Sequence, residues 1–214
     1  MAAIIGLPSG LLLAFLSAYF GTLAGRFGAR RFLVGGPLLM AAGAIWWLRV
    51  PATSTPWLAR LDSTATLMPP LAALTDPLPA ILLFGAGISM VVAPLTSTLM
   101  SSVPVERAGL ASAINNALSR VGQPLVAAAV FIVVSGTFYP ILAAAVPGTD
   151  PNSAALRSAY EPLNAPPTGA PPALAAAAKV ASTDAYHLAV IVAAGLLVSG
   201  AVVNAVGLRK TERG

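Results

Sequence analysis

The chain has 214 residues, of which 57% are hydrophobic and only 9% are charged. Soluble domains carry about 25% charged residues, so this composition excludes an ordinary soluble domain. The net charge of +5 does not indicate nucleic-acid binding, because the basic residues stand at the ends of apolar runs and form no patch. The chain has no cysteine, which excludes disulfide bonds and thiolate metal sites.

Five apolar segments are long enough to cross a bilayer as helices, which takes roughly 17–25 residues each. They lie near residues 4–24, 32–48, 79–100, 108–139 and 186–208. The fourth segment is longer than one crossing requires, so its first turns lie at the interface or the helix is strongly tilted. The long connections 49–78 and 140–185 are rich in proline and are expected to be irregular outer loops. The sequence therefore predicts an all-α integral membrane protein.

The basic residues are unevenly distributed among the connections. The short connections carry seven Lys and Arg residues, Arg26, Arg30, Arg31, Arg107, Arg209, Lys210 and Arg213, and the long ones carry four, Arg49, Arg60, Arg157 and Lys179. Short loops rich in Lys and Arg stay on the cytoplasmic side. Alternation then predicts a multi-pass protein of the cell membrane with its N-terminus outside and its C-terminus in the cytoplasm. An odd number of spans in this orientation is expected of the tail of a longer protein.

The first short connection combines glycines with arginines. Its candidate functional residues are Gly21, Gly25, Arg26, Gly28, Arg30 and Arg31. Glycines let two helices approach closely, and the arginines mark the cytoplasmic side. This stretch resembles the signature loop of the major facilitator superfamily of secondary transporters, Gly-x-x-x-Asp-Arg-x-Gly-Arg/Lys-Arg/Lys. Gly25 stands where that family has its acidic residue, a departure that is typical of the degenerate copy in the second half of such proteins.

A second resemblance lies at the start of the fourth segment. Pro104 is followed by Ala-Gly-Leu-Ala-Ser at residues 108–112, then by two asparagines and by Arg120. This order is similar to that of a late helix in the 14-helix drug:proton antiporter branch of the same superfamily. The resemblance implies that residues 1–214 are the last five of fourteen transporter helices and that the complete protein moves a small molecule.

Polar side chains recur at spacings of three and four along the fourth segment, and therefore share one helix face. They are Ser112, Asn116, Ser119, Arg120 and Gln123, with Asn115 beside them. An arginine near the middle of a bilayer costs at least about 2.5–3.5 kcal/mol on insertion scales, so Arg120 should face a water-filled cavity or a partner helix. Two roles remain open for Arg120. It lines a cavity or gate, or it is a structural arginine bonded to backbone carbonyls.

The sequence does not indicate a catalytic arrangement. Ser199 and His187 lie on one predicted helix, about 18 Å apart by helical rise, which is too far for a catalytic dyad. The chain has neither a phosphate-binding glycine loop nor a cluster of metal ligands. We therefore expect no enzymatic activity, no cofactor and no metal site. No acidic residue falls within a predicted span, so a proton-coupling carboxylate is expected on helices outside these residues.

Two functions of different classes remain. The chain is part of a secondary active exporter of drugs or other small molecules, or it is a non-transporting membrane fragment or helical module that packs against a partner. The first function implies a small-molecule substrate that the sequence does not identify. The lipid bilayer is the expected environment, the missing N-terminal helices on a separate chain are a candidate partner, and nucleic acid is not. Asn204 is expected to pack between helices, with an interhelical hydrogen bond as the alternative.

Overall fold

The computed structural model describes residues 2–49, 75–145 and 150–211, and its regular structure in these ranges is entirely helical. In chain order, α1 covers Ala2–Phe27, α2 Ala29–Trp46, α3 Pro77–Ser101, α4 Ala108–Ala144, α5 Ala154–Ala159 and α6 Pro172–Thr211. A 3-10 turn follows α2 at Trp47–Arg49, and another precedes α4 at Val105–Arg107. The prediction of an all-α protein is confirmed over the described part of the chain.

Four helical stretches within the described residues are long and apolar enough to cross a membrane. They are Ala29–Arg49, Pro77–Ser101, Val105–Ala144 and Pro172–Leu208. The first predicted segment, residues 4–24, falls within α1, a helix of 26 residues. The predicted outer loop 49–78 lies almost entirely outside the described residues, so its irregular structure stays a prediction.

Both ends of the predicted outer loop 140–185 are helical, and its place outside the membrane stays a prediction. Helix α4 continues to Ala144, and α6 begins at Pro172 and runs on through the predicted fifth segment. Proline is well tolerated at the first helical position, where an N–H has no partner within the helix, and the alanines that follow are the strongest helix formers. The chain between these helices turns at Leu163 and Gly169, whose φ values are 65° and 87°.

Helices α4 and α6 are longer than a single crossing. They have 37 and 40 residues. At about 1.5 Å per residue they rise about 56 and 60 Å, against a hydrocarbon core about 30 Å thick. Even at a tilt of about 40°, the upper end of the usual range, a crossing uses only about 39 Å of helix. Both helices therefore extend past the hydrocarbon, and tilt alone does not explain the length of α4.

One compact unit holds α1, α2, α3, the start of α4 and the end of α6 from Ala193. Its closest helix contact joins α2 to α3. A Cβ atom at Gly36 would lie 2.8 Å from the carbonyl oxygen of Gly87, and one at Gly43 would lie 2.8 Å from that of Ala80. The backbones approach this closely because small residues face each other at both points. From Gly36 to Gly43 along α2, the facing residue on α3 moves back from Gly87 to Ala80, so the two helices are antiparallel.

A second compact unit holds α4 from Arg120, α5, and α6 up to Val192. Its core is a cluster of buried side chains, Val134, Phe138, Tyr139, Leu142, Ala143, Leu156, Tyr160, Ala178, Ala181, Ala185 and Ala189. The alanines of α6 recur every three or four residues and form one face of that helix. Larger side chains of α4 occupy the same cluster, so small and large residues complement each other in this core.

Candidate functional site

The basic turn joins α1 to α2 through one residue. Helix α1 ends at Phe27 and α2 begins at Ala29, which leaves Gly28 alone between them. Gly28 has φ 86° and ψ 133°. Residues with a Cβ atom avoid this conformation, and holding one there costs about 1–3 kcal/mol. The predicted motif therefore contains a glycine that the backbone of the turn requires.

The three arginines of this turn lie in different environments. Arg26 and Arg31 are exposed, whereas Arg30 is half-buried. The Nε and Nη2 atoms of Arg30 donate to the carbonyl oxygen of Ala205 on α6, at 3.1 and 2.8 Å. The basic turn therefore holds the C-terminal part of α6 through a backbone carbonyl. An arginine bonded to a carbonyl was the structural alternative considered for Arg120, and the structure shows that arrangement at Arg30.

The remaining glycines of the predicted motif differ in how tightly they are packed. A Cβ atom at Gly21 would lie 3.1 Å from the Cβ of Ala93 on α3, so Gly21 allows α1 to approach α3. A Cβ atom at Gly25 would meet nothing within 4 Å, and Gly25 is exposed. Packing therefore does not impose glycine at position 25, where the signature loop has an acidic residue.

A second contact between α2 and α6 lies one turn further along α2. Pro37 has no N–H group to donate to the carbonyl of Leu33, four residues earlier. The Nδ2 atom of Asn204 on α6 donates to that carbonyl oxygen at 2.9 Å. A buried carbonyl left without a partner costs about 1–3 kcal/mol, so this bond compensates for the proline. Packing was the favoured role for Asn204, but the alternative, an interhelical bond, is what the structure shows.

The polar face of α4 is only partly covered. Ser112 and Asn115 are half-buried, while Asn116, Arg120 and Gln123 are exposed. Ser119 is exposed as well, and its hydroxyl donates to the carbonyl of Asn115 in the same helix, at 2.8 Å. Within the described residues, Arg120 has no hydrogen bond or ion pair. The described helices therefore do not supply the partner that was expected for Arg120, and its role stays a prediction.

Two of the acidic side chains in the described part of the chain lie beside or on the long helices. Glu106 is exposed in the turn before α4. Asp184 lies on α6 and is exposed. In the described part of the chain, no group of three or more His, Asp or Glu side chains is placed to hold a metal ion. The hydrogen bonds that join α2 and α6 at this site are instead donated by Arg30 and Asn204 to backbone carbonyls.

These helices define an all-α, multi-pass membrane protein with a basic turn between close-packed helices. The chain is similar to the Multidrug resistance protein Stp of Mycobacterium tuberculosis, with 29% identity over 145 residues in both strain CDC 1551 / Oshkosh and strain ATCC 25618 / H37Rv. The match covers 66% of this chain and 24% of the relative, so the chain spans about a quarter of that protein's length. No family model matches the chain, and no solved structure matches it. The similarity supports a membrane transport or efflux protein.

Proposed function

We propose that this chain supplies C-terminal helices of a secondary active exporter of drugs or other small molecules, built on the major facilitator fold. The observation that carries the proposal is the similarity to a multidrug resistance protein over 66% of the chain. The turn at Gly28 supports it, because Arg26, Gly28 and Arg31, which match the signature-loop pattern, all lie at one short connection between two helices.

The polar face of α4 has a defined role in this proposal. Arg120, Asn116 and Gln123 line a substrate cavity or gate that α4 forms together with further helices. The support is energetic, since an exposed arginine on an apolar helix costs at least about 2.5–3.5 kcal/mol unless water or a partner covers it. Ser112, on the same face, and Asn115 beside it are half-buried.

The remaining helices are the partner in this proposal. The chain spans 24% of the length of its relative, so the relative holds a large part that this chain does not match. In this proposal, helices that correspond to the unmatched part contribute the other side of the cavity and the carboxylate that couples transport to protons. The chain itself performs no enzymatic reaction and takes no cofactor.

The proposed orientation places the basic turn in the cytoplasm. The turn at Gly28, the α3–α4 connection and the end of α6 then share the cytoplasmic side, as short basic loops do. The N-terminus lies outside, and the segment 145–171 between α4 and α6 faces the exterior. The exposed apolar side chains that the further helices do not cover contact lipid in this proposal; we assign Leu118 and Ile132 to them, with 68% and 70% of their surfaces exposed.

A chimera tests the proposed function. The matching part of Stp is replaced by this chain, and accumulation of a fluorescent cationic drug is measured in cells that lack the native protein. We expect accumulation to fall well below that in cells without a transporter and to rise again when a protonophore removes the gradient. A chimera that reaches the membrane in normal amounts but leaves drug accumulation unchanged would contradict the proposal.

The exposed Arg120 also favours the second candidate function, a helical module that packs against a partner without transporting anything. In that case the polar face of α4 is an assembly surface and not a cavity lining. The two functions differ in one readout of the chimera. A packing module restores the abundance of the complex without restoring efflux, whereas the exporter restores both.

A further inference from the structure

Helix α2 contacts α3 from Gly35 onward, whereas its start, residues 29–33, contacts α1 and α6. The carbonyl that Pro37 frees, that of Leu33, lies at the junction of these two parts. A Cβ atom at Gly43 would lie 2.8 Å from the carbonyl oxygen of Ala80, and one at Gly36, just before the proline, would lie 2.8 Å from that of Gly87. Backbones in such close contact leave no room for one helix to shift against the other.

The start of α2, residues 29–33, contacts both α1 and α6. Phe32 packs against Phe20 of α1, with ring centroids 5.9 Å apart, and two hydrogen bonds join this part of α2 to α6. The Leu33 carbonyl accepts from Asn204 Nδ2 at 2.9 Å, and Arg30 donates to the carbonyl of Ala205 at 2.8 Å. The two contacts run in opposite directions, since α6 donates in one and accepts in the other. Because the acceptor at Leu33 is a carbonyl, the interacting atom of Asn204 must be its amide nitrogen.

The bond from Asn204 replaces a backbone hydrogen bond that α2 lacks because residue 37 is a proline. In an unbroken helix, the N–H of residue 37 would occupy the Leu33 carbonyl, and an outside donor would add little. Pro37 removes that N–H and creates a point at which the helix bends easily. Membrane helices tolerate such prolines when a neighbouring helix satisfies the freed carbonyl. Asn204 is the group that does so here.

We propose that Asn204 is a positioning residue that fastens residues 29–33 of α2, and with them the basic turn, to α6 across a hinge at Pro37. While the bond holds, the turn follows α6. When the bond is lost, Arg30 remains as the hydrogen-bonding link to α6, and residues 29–33 move more widely relative to the part of α2 that α3 fixes. The proposal concerns the hinge within this chain, and only its consequence for a transport cycle rests on the proposed function.

A double-mutant cycle tests the pairing of Asn204 with the carbonyl that Pro37 frees. Unfolding of the chain by SDS is measured in mixed micelles for Asn204→Ala, Pro37→Ala and the double variant, with Asn204→Leu as a second variant of similar volume that also lacks the donor. Asn204→Ala should raise the unfolding equilibrium constant about three- to twentyfold, the range of interhelical bonds in membranes. In the Pro37→Ala background, the restored N–H of residue 37 should remove most of that effect.

Two controls make the cycle specific. Ser199→Ala changes an exposed residue of the same helix, whose hydroxyl donates to the carbonyl of Gly195 in its own helix. Its effect should be small and independent of Pro37. Pro94→Ala removes a proline from α3, and it should leave the effect of Asn204→Ala unchanged. An effect of Asn204→Ala that is equal with and without Pro37 would overturn the proposal and leave Asn204 a packing residue.

The hinge itself is measured with spin labels, which is straightforward because the chain has no native cysteine. Labels at Arg31→Cys and Ile45→Cys, both exposed positions, lie on either side of Pro37. Double electron–electron resonance on the chain in nanodiscs should give one narrow distance distribution. Asn204→Ala should broaden it, and Pro37→Ala added to Asn204→Ala should narrow it again. An unchanged distribution in Asn204→Ala would exclude the hinge. Neither measurement uses transport, so a failure here is distinct from a failure of the proposed function.

Discussion

The side-chain amide of Asn204 donates to the carbonyl oxygen of Leu33 at 2.9 Å, and that carbonyl is the one that Pro37 leaves without its partner in α2. The next residue of α6, Ala205, accepts from Arg30. Two neighbouring residues of the last helix are thus bonded to the start of the second helix. The basic turn, which resembles the transporter signature loop, is therefore held in place by α6 of the same chain.

The conformation of Gly28 gives a first prediction. Gly28→Ala should destabilise the folded chain by about 1–3 kcal/mol, because a Cβ atom is strained at φ 86°. The matched control is Gly25→Ala, three residues earlier, where a Cβ atom meets open space and helical φ is already present. Alanine there should be neutral or stabilise by up to about 1 kcal/mol. SDS unfolding of both variants checks this, and equal stability of the two would speak against the turn described.

The close contact of α2 with α3 gives a second prediction. Gly36→Ala places a methyl group 2.8 Å from the carbonyl oxygen of Gly87, so the helices must separate or distort. We expect a loss of about 1–3 kcal/mol in the free energy of unfolding, as for other overpacked cores. Gly200→Ala is the control, since a Cβ atom at Gly200 meets nothing within 4 Å. If both substitutions were neutral, α2 and α3 would not pack as described.

The membrane orientation is tested by cysteine labelling. Gly25→Cys and Thr168→Cys each place a thiol at an exposed position, one beside the basic turn and one between α4 and α6. A thiol reagent that does not cross membranes should label the Thr168→Cys variant in intact cells and the Gly25→Cys variant only after permeabilisation. The unsubstituted chain, which has no cysteine, is the blank. Labelling of both variants from outside would refute the proposed topology.

Arg120 gives a prediction about the cavity. In the chimera with Stp, Arg120→Ala should reduce drug efflux at least tenfold while the amount of protein in the membrane stays within about twofold, since one lost charge-assisted contact is worth about 1.5–3 kcal/mol. Arg120→Lys should restore efflux only in part, because an ammonium group lacks the planar set of donors of arginine.

The control for Arg120 is Leu118→Ala, an exposed apolar position on the same helix. It should leave efflux unchanged, because it removes lipid-facing surface only. A loss of folded protein in proportion to the loss of efflux in Arg120→Ala would assign that arginine a structural role.

The sequence predicted the helices of this chain well where apolar character persists over several turns, as in α3 and α4. It did not give the start of α6 at Pro172, because a proline both ends helices and occupies their first position, and sequence alone does not say which role Pro172 takes. The partner of Arg30 was not predictable, since a backbone carbonyl such as that of Ala205 has no signature in sequence. The partner of Asn204 was partly predictable. Pro37 inside an apolar segment frees the carbonyl of Leu33, and a freed carbonyl in a membrane requires a donor.

The central claim is that these helices belong to an exporter whose other helices lie outside this chain. Its most direct test is gradient-driven uptake of a fluorescent cationic drug into purified inside-out vesicles, acidified inside. Vesicles containing the chimera with Stp should accumulate the drug and release it when the gradient is collapsed, while vesicles with this chain alone should match empty ones. Accumulation by the chain alone, or none by a correctly folded chimera, would contradict the account.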